Sequence, residues 1–311
     1  MGTPQSFWQT LLAAKSELSR NLIGTTALMD VVFSDVKPVE TALGQTLDIP
    51  VPQSVLGSVV ISGTTAADPT FNSYNVPIVP IAFDTKLQVG HKIPSFDQYS
   101  SPTAIKDVLL EPAINAVAMA ANAQIATLLN ATNFNVNQVV PTTGSAVTPD
   151  QFVNGGFTPL LNQLVNVQDP NQMAFVQHPN VYAKQLRNPD WSQESLVGIN
   201  VAQQAKVEGG IKVAYGAKQL VDQQMPATGS APNQTFISWY GTKYCIATAY
   251  RPLPAGDKRV VDVTYIYFKG LPIKVEFGYN VVTESWYLNI GCGMGKKVVR
   301  PEQGVIFSTA Q

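Results

Sequence analysis

Two histidines and two cysteines are the side chains of this 311-residue chain best suited to metal binding or nucleophilic chemistry. His91 lies in an alternating apolar–polar stretch, and His178 precedes a proline at the start of a predicted helix. Neither stands at a metal-ligand spacing from another ligand residue, and Cys245 and Cys292 lie too far apart for a zinc knuckle. We therefore expect structural histidines and two reduced, buried thiols that behave as small apolar side chains.

A glycine-rich run from Gly291 to Lys297 invites comparison with a phosphate-binding loop. Such a loop has a glycine five residues before a Gly-Lys pair, a hydroxyl residue directly after the lysine, and a helix that follows. Here Ile290 occupies the first glycine position and Lys297 the hydroxyl position, and another strand is predicted to follow. The run therefore predicts a tight glycine turn between two strands, without phosphate binding.

The charged side chains of the C-terminal third are expected at the surface. Lys274 and Glu276 share one face of an alternating strand, which is typical of a solvated pair. No basic cluster is interleaved with the aromatic residues that a single-strand nucleic-acid binder would use. We expect surface or inter-subunit charges in two small clusters: Lys258-Arg259, and Lys296-Lys297 with Arg300.

The chain contains few charged residues, and its net charge is close to zero. Charged residues make up 13% of the chain, against about 25% in ordinary soluble domains. The formal net charge of -1 excludes a protein whose affinity comes from neutralising many phosphates, and it suits self-association. Apolar residues at 45% exclude a disordered chain. The polar residues among the first twenty predict no signal peptide, so synthesis in the cytoplasm is expected.

The elements that must position these residues begin with a long helix in the least charged segment of the chain. Between Glu111 and Asp169 the only charged residue is Asp150. Apolar side chains follow helical spacing from position 114 to 128, and Asn115 and Asn122 lie together on another face. The segment predicts an Ala-rich amphipathic helix packed on protein and not a membrane span. Ser101 and Pro102 are expected to begin a short preceding helix, and Pro112 is expected to kink or restart it.

A long hairpin is predicted between residues 46 and 98. Its second arm alternates apolar and polar residues through His91, and its prolines require exposed or bulged edges. Because too little flanking sequence is available to bury this hairpin within one chain, its edges are expected to need a partner.

The remaining elements mix helices and strands, so the predicted fold class is α+β. Helices are expected at residues 5–22, Asp150–Val167 and His178–Leu186. Strands are expected at Met173–Val176, Gly209–Gly216, within Gln234–Ala249, and in a C-terminal meander over Val260–Phe268, 273–279, Trp286–Ile290 and Val305–Phe307.

Several stretches, taken in order, resemble the major capsid (coat) proteins of tailed bacteriophages, which have the Hong Kong-type capsid fold. Phe83–Asp97 resembles the strand that leads out of their extended loop, and Glu208–Gly216 resembles a glycine-bounded strand of their axial domain. Gly295–Ile306 resembles their ending, a glycine turn and basic residues before a closing strand. The resemblance covers nearly the whole chain.

The resemblance implies a subunit divided into five parts. These are an N-terminal arm (1–45), an extended loop hairpin (46–98), a peripheral domain with the spine helix (99–200), an axial domain (201–275), and C-terminal strands that close the core (276–311). Some relatives cross-link through a loop lysine and a distant asparagine, but the partner residues have no match here, so cross-linking is not carried over.

The implied function is a virion shell that assembles in the host cytoplasm. Hexamers and pentamers of the chain would build an icosahedral capsid around double-stranded DNA, without a cofactor or catalysis. Expected partners are other copies, a portal, scaffold or decoration proteins, and packaged DNA through weak contacts, with no membrane. The residues expected at the assembly interface are Phe7, Trp8, Phe83, Asp84, Lys86, His91, Lys92 and Arg300.

Two alternatives to a phage coat stay open at the level of sequence. An encapsulin-like compartment shell would share the fold and enclose cargo enzymes instead of DNA. An α+β enzyme could carry site residues scattered beyond recognition in the sequence.

Overall fold

The computed structural model describes most of the chain beyond residue 25. The described residues are 26–36, 44–50, 78–93, 109–134, 139–142, 146–163, 165, 169, 171–192, 211–230, 234–254, 260–280, 282 and 285–310. The predicted helix at 5–22, the interface residues Phe7 and Trp8, the helix start at 101–102 and the tip of the predicted hairpin lie outside them.

The chain forms a mixed set of helices and strands, which confirms the α+β class. The helices are α1 (Ala27–Val31), α2 (Glu111–Ala126), α3 (Pro149–Phe152), α4 (Thr158–Asn162), α5 (Pro179–Arg187) and α6 (Pro189–Ser192). The strands are β1 (Phe33–Val36), β2 (Thr46–Pro50), β3 (Ile78–Ile93), β4 (Val139–Thr142), β5 (Met173–Gln177), β6 (Val213–Ala214), β7 (Ala217–Val221), β8 (Ala227–Thr228), β9 (Thr235–Thr242), β10 (Ile246–Pro252), β11 (Val260–Phe268), β12 (Leu271–Asn280), β13 (Ser285–Val298) and β14 (Gly304–Ala310).

The first sheet carries the predicted C-terminal meander. Its strand order is β1-β10-β13-β12-β11, and β3 pairs with β13 while β2 pairs with β3. The strands at Val260–Phe268 and 273–279 are confirmed by β11 and β12. The predicted division between residues 275 and 276 falls inside the continuous strand β12.

Strand β3, the second arm of the predicted hairpin, is more buried within its own chain than the sequence predicts. Its first residues pair with β2 as a two-stranded ribbon, as predicted. From Phe83 to Ile93, however, it pairs with β13, and Phe83 and Leu87 are buried. The expectation that the second arm has no cover in its own chain is therefore wrong beyond Phe83, because β13 supplies the neighbouring strand.

Strand β13 corrects the predicted glycine turn. The chain runs straight through Gly291, Gly293 and Gly295 as one 14-residue strand. A Cβ atom at Gly291 would lie 2.3 Å from the carbonyl oxygen of Leu87, and one at Gly295 would lie 2.6 Å from that of Ala82. These glycines permit the close approach of β3 to β13, and they do not turn the chain.

Helix α2 is the predicted Ala-rich helix, and it packs on the first sheet. Ile114, Val117 and Ile125 are buried, as their spacing predicts, and Pro112 lies in the first turn, where no helical hydrogen bond is lost. The second face is also covered, since Asn115 and Asn122 are both buried. Of the helices described here, none is long and apolar enough to cross a membrane.

The second sheet has the order β4-β14-β9-β5-β7-β6, with β8 paired to β9. An aromatic cluster covers one face, and the rings of Phe152 and Tyr240 lie 4.7 Å apart at its centre. Of the predicted strand Gly209–Gly216, residues 209–210 lie outside the described part of the chain, and within 211–216 only β6 is extended, so the prediction is wrong in extent there. Tyr215 and Gly216 then adopt positive φ angles of 49° and 75° and reverse the chain into β7.

The helix predicted at Asp150–Val167 forms as α3, a π-helical turn at Val153–Phe157, and α4, which ends at Asn162. A capping box between Thr148 and Gln151 begins it. In the π turn, a Cβ atom at Gly156 would lie 2.8 Å from the ring of Phe307, so glycine lets this helix settle on the aromatic cluster.

Candidate functional site

His178 has the structural role that the sequence predicts. Its Nδ1 accepts a hydrogen bond from the backbone N–H of Asn180 at 3.1 Å and so caps α5, and its ring stacks on Phe236. Burial lowers the pKa of the imidazole from its ordinary value of 6.5. His91 is half-buried in β3.

We expect His178 to make the fold less stable below pH 6.5. Because the folded-state pKa is lowered, the unfolded chain binds the proton first. The stability that the neutral ring contributes is thus present above about pH 6.5 and lost as the pH falls below that value. His178→Asn keeps an N-cap acceptor without this titration. The melting temperature of the wild type should fall more between pH 7.5 and 5.5 than that of the variant, and equal falls would contradict this role.

Both cysteines are free and fully buried, as predicted. Burial raises the pKa of the Cys292 thiol to about 12 and that of Cys245 further. A thiol that stays protonated is a poor nucleophile, so this environment suits packing and not catalysis.

The Lys274–Glu276 pair is buried, which corrects the expectation of a solvated pair. Lys274 Nζ lies 2.8 Å from Glu276 Oε2, and the two side chains are only 6% and 4% exposed. Lys274 also donates to the Pro254 carbonyl, and Glu276 accepts from Asn289 Nδ2 at 3.1 Å. Gln88 continues the network by donating to Asn289. The strand alternation placed both charges on one face, but the chain around Pro254 also contacts that face.

The predicted basic cluster of Lys296, Lys297 and Arg300 does not form one surface, because Lys296 and Lys297 have different surroundings. Lys296 Nζ donates at 2.6 Å to the Gln124 carbonyl, the Gln124 side chain and Thr127 Oγ1, all at the C-terminal end of α2. A cation suits the negative end of the helix dipole. Burial lowers the pKa of Lys296, although nearby Asp84 opposes this. Lys296 is therefore a structural anchor, whereas Lys297 is exposed and donates to the Pro80 carbonyl.

The residues expected at an assembly interface lie on different sides of β3. Phe83 is buried, with the Arg251 guanidinium 5.3 Å from its ring centre, and His91 is half-buried. Asp84, Lys86 and Lys92 are exposed. Arg300 is half-buried just before the final strand. The described part of the chain thus offers Asp84, Lys86 and Lys92 as an exposed charged row, named here the β3 row.

The sequence reasoning missed the buried carboxylate of Asp222. Asp222 is fully buried, and its carboxylate accepts from Asn122 Nδ2 at 2.8 Å and from the Leu28 and Gln224 amides. An asparagine within an Ala-rich helix was the one available signal, and it did not reveal the partner. Among the residues that the structure describes, no three His, Cys, Asp or Glu side chains could jointly hold a metal ion.

Neither a protein-family model nor a curated protein matches the chain. Solved structures do, over almost its full length. A capsid structure of the cyanophage P-SCSP1u matches with a TM-score of 0.61 and 13% identity, covering 92% of this chain and 89% of that one. The chain has a phage capsid fold.

Two further structures share the capsid fold. The capsid of an empty GTA particle matches with a TM-score of 0.57 and 15% identity, covering 94% of this chain and 99% of that one. The mature capsid of bacteriophage PhiM1 matches with a TM-score of 0.54 and 12% identity, covering 92% and 86%. The Hong Kong-type fold predicted from the order of the motifs is therefore confirmed, and identities this low concern the fold alone.

Proposed function

We propose that this chain is the major coat subunit of a tailed-phage virion and self-assembles into an icosahedral shell. The observation that carries the proposal is the shared fold, which spans 92–94% of this chain and 86–99% of the matched capsid chains. The shell consists of hexamers and pentamers, encloses double-stranded DNA, and forms in the host cytoplasm. A structural role without catalysis agrees with the capping histidine and the protonated thiols.

The charge pattern supports a shell that encloses DNA without holding it tightly. The net charge of -1 gives little counterion release and therefore weak phosphate binding. It also gives little long-range repulsion between copies. Portal, scaffold and decoration proteins are further proposed partners.

We also propose a division of the subunit that differs from the linear one above. The first sheet with α2 forms the peripheral domain, and the second sheet with its aromatic cluster forms the axial domain. The N-terminal arm and the extended loop keep their proposed places, and the loop begins as the ribbon of β2 with the start of β3.

Electron microscopy of the full chain expressed alone or with its neighbouring genes tests the proposal. We expect closed particles of uniform diameter, and nuclease-protected double-stranded DNA in particles from infected cells. Compact monomers at all concentrations would contradict the shell. Closed particles that protect a cargo enzyme instead of DNA would support the encapsulin-like alternative and contradict the phage coat.

The β3 row is proposed to contact a neighbouring subunit, together with Phe7, Trp8 and Arg300. Replacing Lys86 and Lys92 with glutamate reverses two exposed charges without touching the core. We expect particle yield to fall at least tenfold, because reversing two charges of a contact surface removes its charge complementarity, and the loss is repeated at every copy of the contact in the shell. Particle yield is measured by sedimentation.

Lys212→Glu with Lys218→Glu is the matched control, since Lys218 in β7 and the nearby Lys212 are both exposed. The melting temperature of the unassembled Lys86→Glu/Lys92→Glu chain should stay near that of the wild type. Equal particle yields from both double variants would remove the β3 row from the proposed contact.

A further inference from the structure

The first described residues form a segment that crosses several remote elements. Residues 26–36, named here the strap, contain α1 and β1. The rest of the described chain is named here the body, and the strap forms hydrogen bonds to it at Thr26 and Phe33. Lys269 Nζ donates to Thr26 Oγ1 at 3.0 Å, and the Phe33 N–H donates to the Lys243 carbonyl at 2.8 Å. Between these contacts, Leu28 and Val32 are buried in the main core.

Two side chains of the body accept hydrogen bonds from consecutive backbone N–H groups of the strap. Asp222 Oδ2 accepts from the Leu28 N–H, and Asn122 Oδ1 accepts from the Met29 N–H, both at 3.1 Å. The strap supplies no side-chain cap of its own for α1. These amides would otherwise be buried donors, and leaving one without a partner costs about 1–3 kcal/mol.

The receiving pair is held in place by contacts within the body. Asn122 Nδ2 donates to Asp222 Oδ2 at 2.8 Å, which aims Asn122 Oδ1 at the strap. Asp222 Oδ1 accepts from the Gln224 N–H at 2.8 Å, and the Asp222 N–H donates to the Gln177 carbonyl at 2.9 Å. None of these three contacts needs the strap, so the acceptors are preorganised, and the Asn122 and Asp222 side chains lose little conformational entropy when the strap docks.

The strap also lies at the margin of the fold. Strand β1 occupies the end of the first sheet, where β10 is its one neighbour within the described part of the chain. The pairing is parallel and only four residues long, from Phe33 with Ala247 to Val36 with Tyr250. The other strand pairings of that sheet do not involve β1, so it can leave without breaking them.

We propose that the strap is a separate unit of local unfolding, with Asp222 and Asn122 as the latch that holds it on the body. Undocking uncovers the β10 edge and the core surface under Leu28 and Val32, while the rest of both sheets stays folded. Short peripheral elements held by few hydrogen bonds open at lower free energy than core strands. The free energy of this opening therefore depends strongly on two side chains, Asp222 and Asn122.

Native-state hydrogen exchange of the unassembled wild-type chain tests the separate unit directly. Strap amides, including those of Leu28 and Met29, should exchange through an opening that depends less on denaturant than the opening that exposes β13. If strap and β13 amides exchange through one shared global opening, the proposal is wrong. This measurement requires no variant to fold.

Asn122→Leu tests the latch. It removes the acceptor for Met29 and the amide donor to Asp222, so strap exchange should accelerate about 10- to 100-fold. Because the opening that exposes β13 also loses the docked strap, β13 exchange should accelerate by no more than the same factor. Faster β13 exchange with unchanged strap exchange would contradict the latch. Asp30→Ala is the matched control within the strap, because it breaks only the half-exposed ion pair with Lys269 at 3.4 Å. It should accelerate strap exchange less than threefold. Equal effects of the two variants would overturn the assigned role of Asn122.

Discussion

Gly291→Ala is expected to destabilise the subunit by about 2–3 kcal/mol, because the added methyl group meets backbone that cannot rotate away. Its Cβ would lie 2.3 Å from the Leu87 carbonyl oxygen and 3.2 Å from Gln88 Cα, both in β3. Strand β3 must shift from β13, which weakens the pairing that joins the extended hairpin to the body. Urea unfolding of the unassembled subunit measures the loss.

Gly293→Ala provides the matched control two residues along the same strand. There the nearest atoms to a new Cβ are Arg251 O at 3.5 Å and Leu253 Cδ2 at 3.6 Å, which are ordinary contacts. We expect a change within about 1 kcal/mol, with some gain from the lower entropy of the unfolded chain. If both variants lose a similar free energy of unfolding, β13 needs glycine along its length and not specifically where β3 approaches at Gly291.

Glu276→Ala is expected to cost about 3–5 kcal/mol, because it leaves the Lys274 ammonium buried without its carboxylate. The Pro254 carbonyl remains as an acceptor at 2.8 Å, but it carries no charge to offset desolvation. Asn289 would also lose its acceptor. The free energy of unfolding from denaturant titration at neutral pH is the measurement.

Two controls separate charge burial from general damage to β12. The double variant Lys274→Met/Glu276→Leu removes both charges at similar volume and should recover most of the loss. Asp30→Ala breaks an ion pair whose side chains are 32% and 52% exposed, and it should cost less than about 1 kcal/mol. A loss for Glu276→Ala as small as that for Asp30→Ala would mean that water reaches the buried pair.

The latch and the buried ion pair share one physical feature. In both, a polar group is removed from water and receives its hydrogen-bond partners from an element far away in sequence. Such groups cost most when one partner is lost, so they select one arrangement of the elements more sharply than apolar contacts do. For a subunit proposed to meet many identical neighbours, a single well-defined arrangement of the body is a useful property.

The sequence predicted the elements whose burial follows from local spacing. The stripe through Ile114, Val117 and Ile125 predicted α2, and the alternation around Val275 predicted β12. His178 before a proline predicted the start of α5. In these cases the apolar pattern within one element is enough, because whatever packs against it needs only to be apolar.

Only the tertiary structure decided what covers the polar positions and why the glycines are there. Glycine serves equally for a turn and for close strand approach, so Gly291 could be interpreted either way until β3 lay beside it. Alternation placed Lys274 and Glu276 on one face, but whether that face meets water depends on the remote chain at Pro254. The mixture of helical and strand patterns predicted the α+β class, and the capsid fold was predicted from the resemblance of several stretches, taken in order, to tailed-phage coat proteins. The partners of Asp222, Lys296 and Glu276 depend on distances between remote segments, which spacing along the chain does not encode.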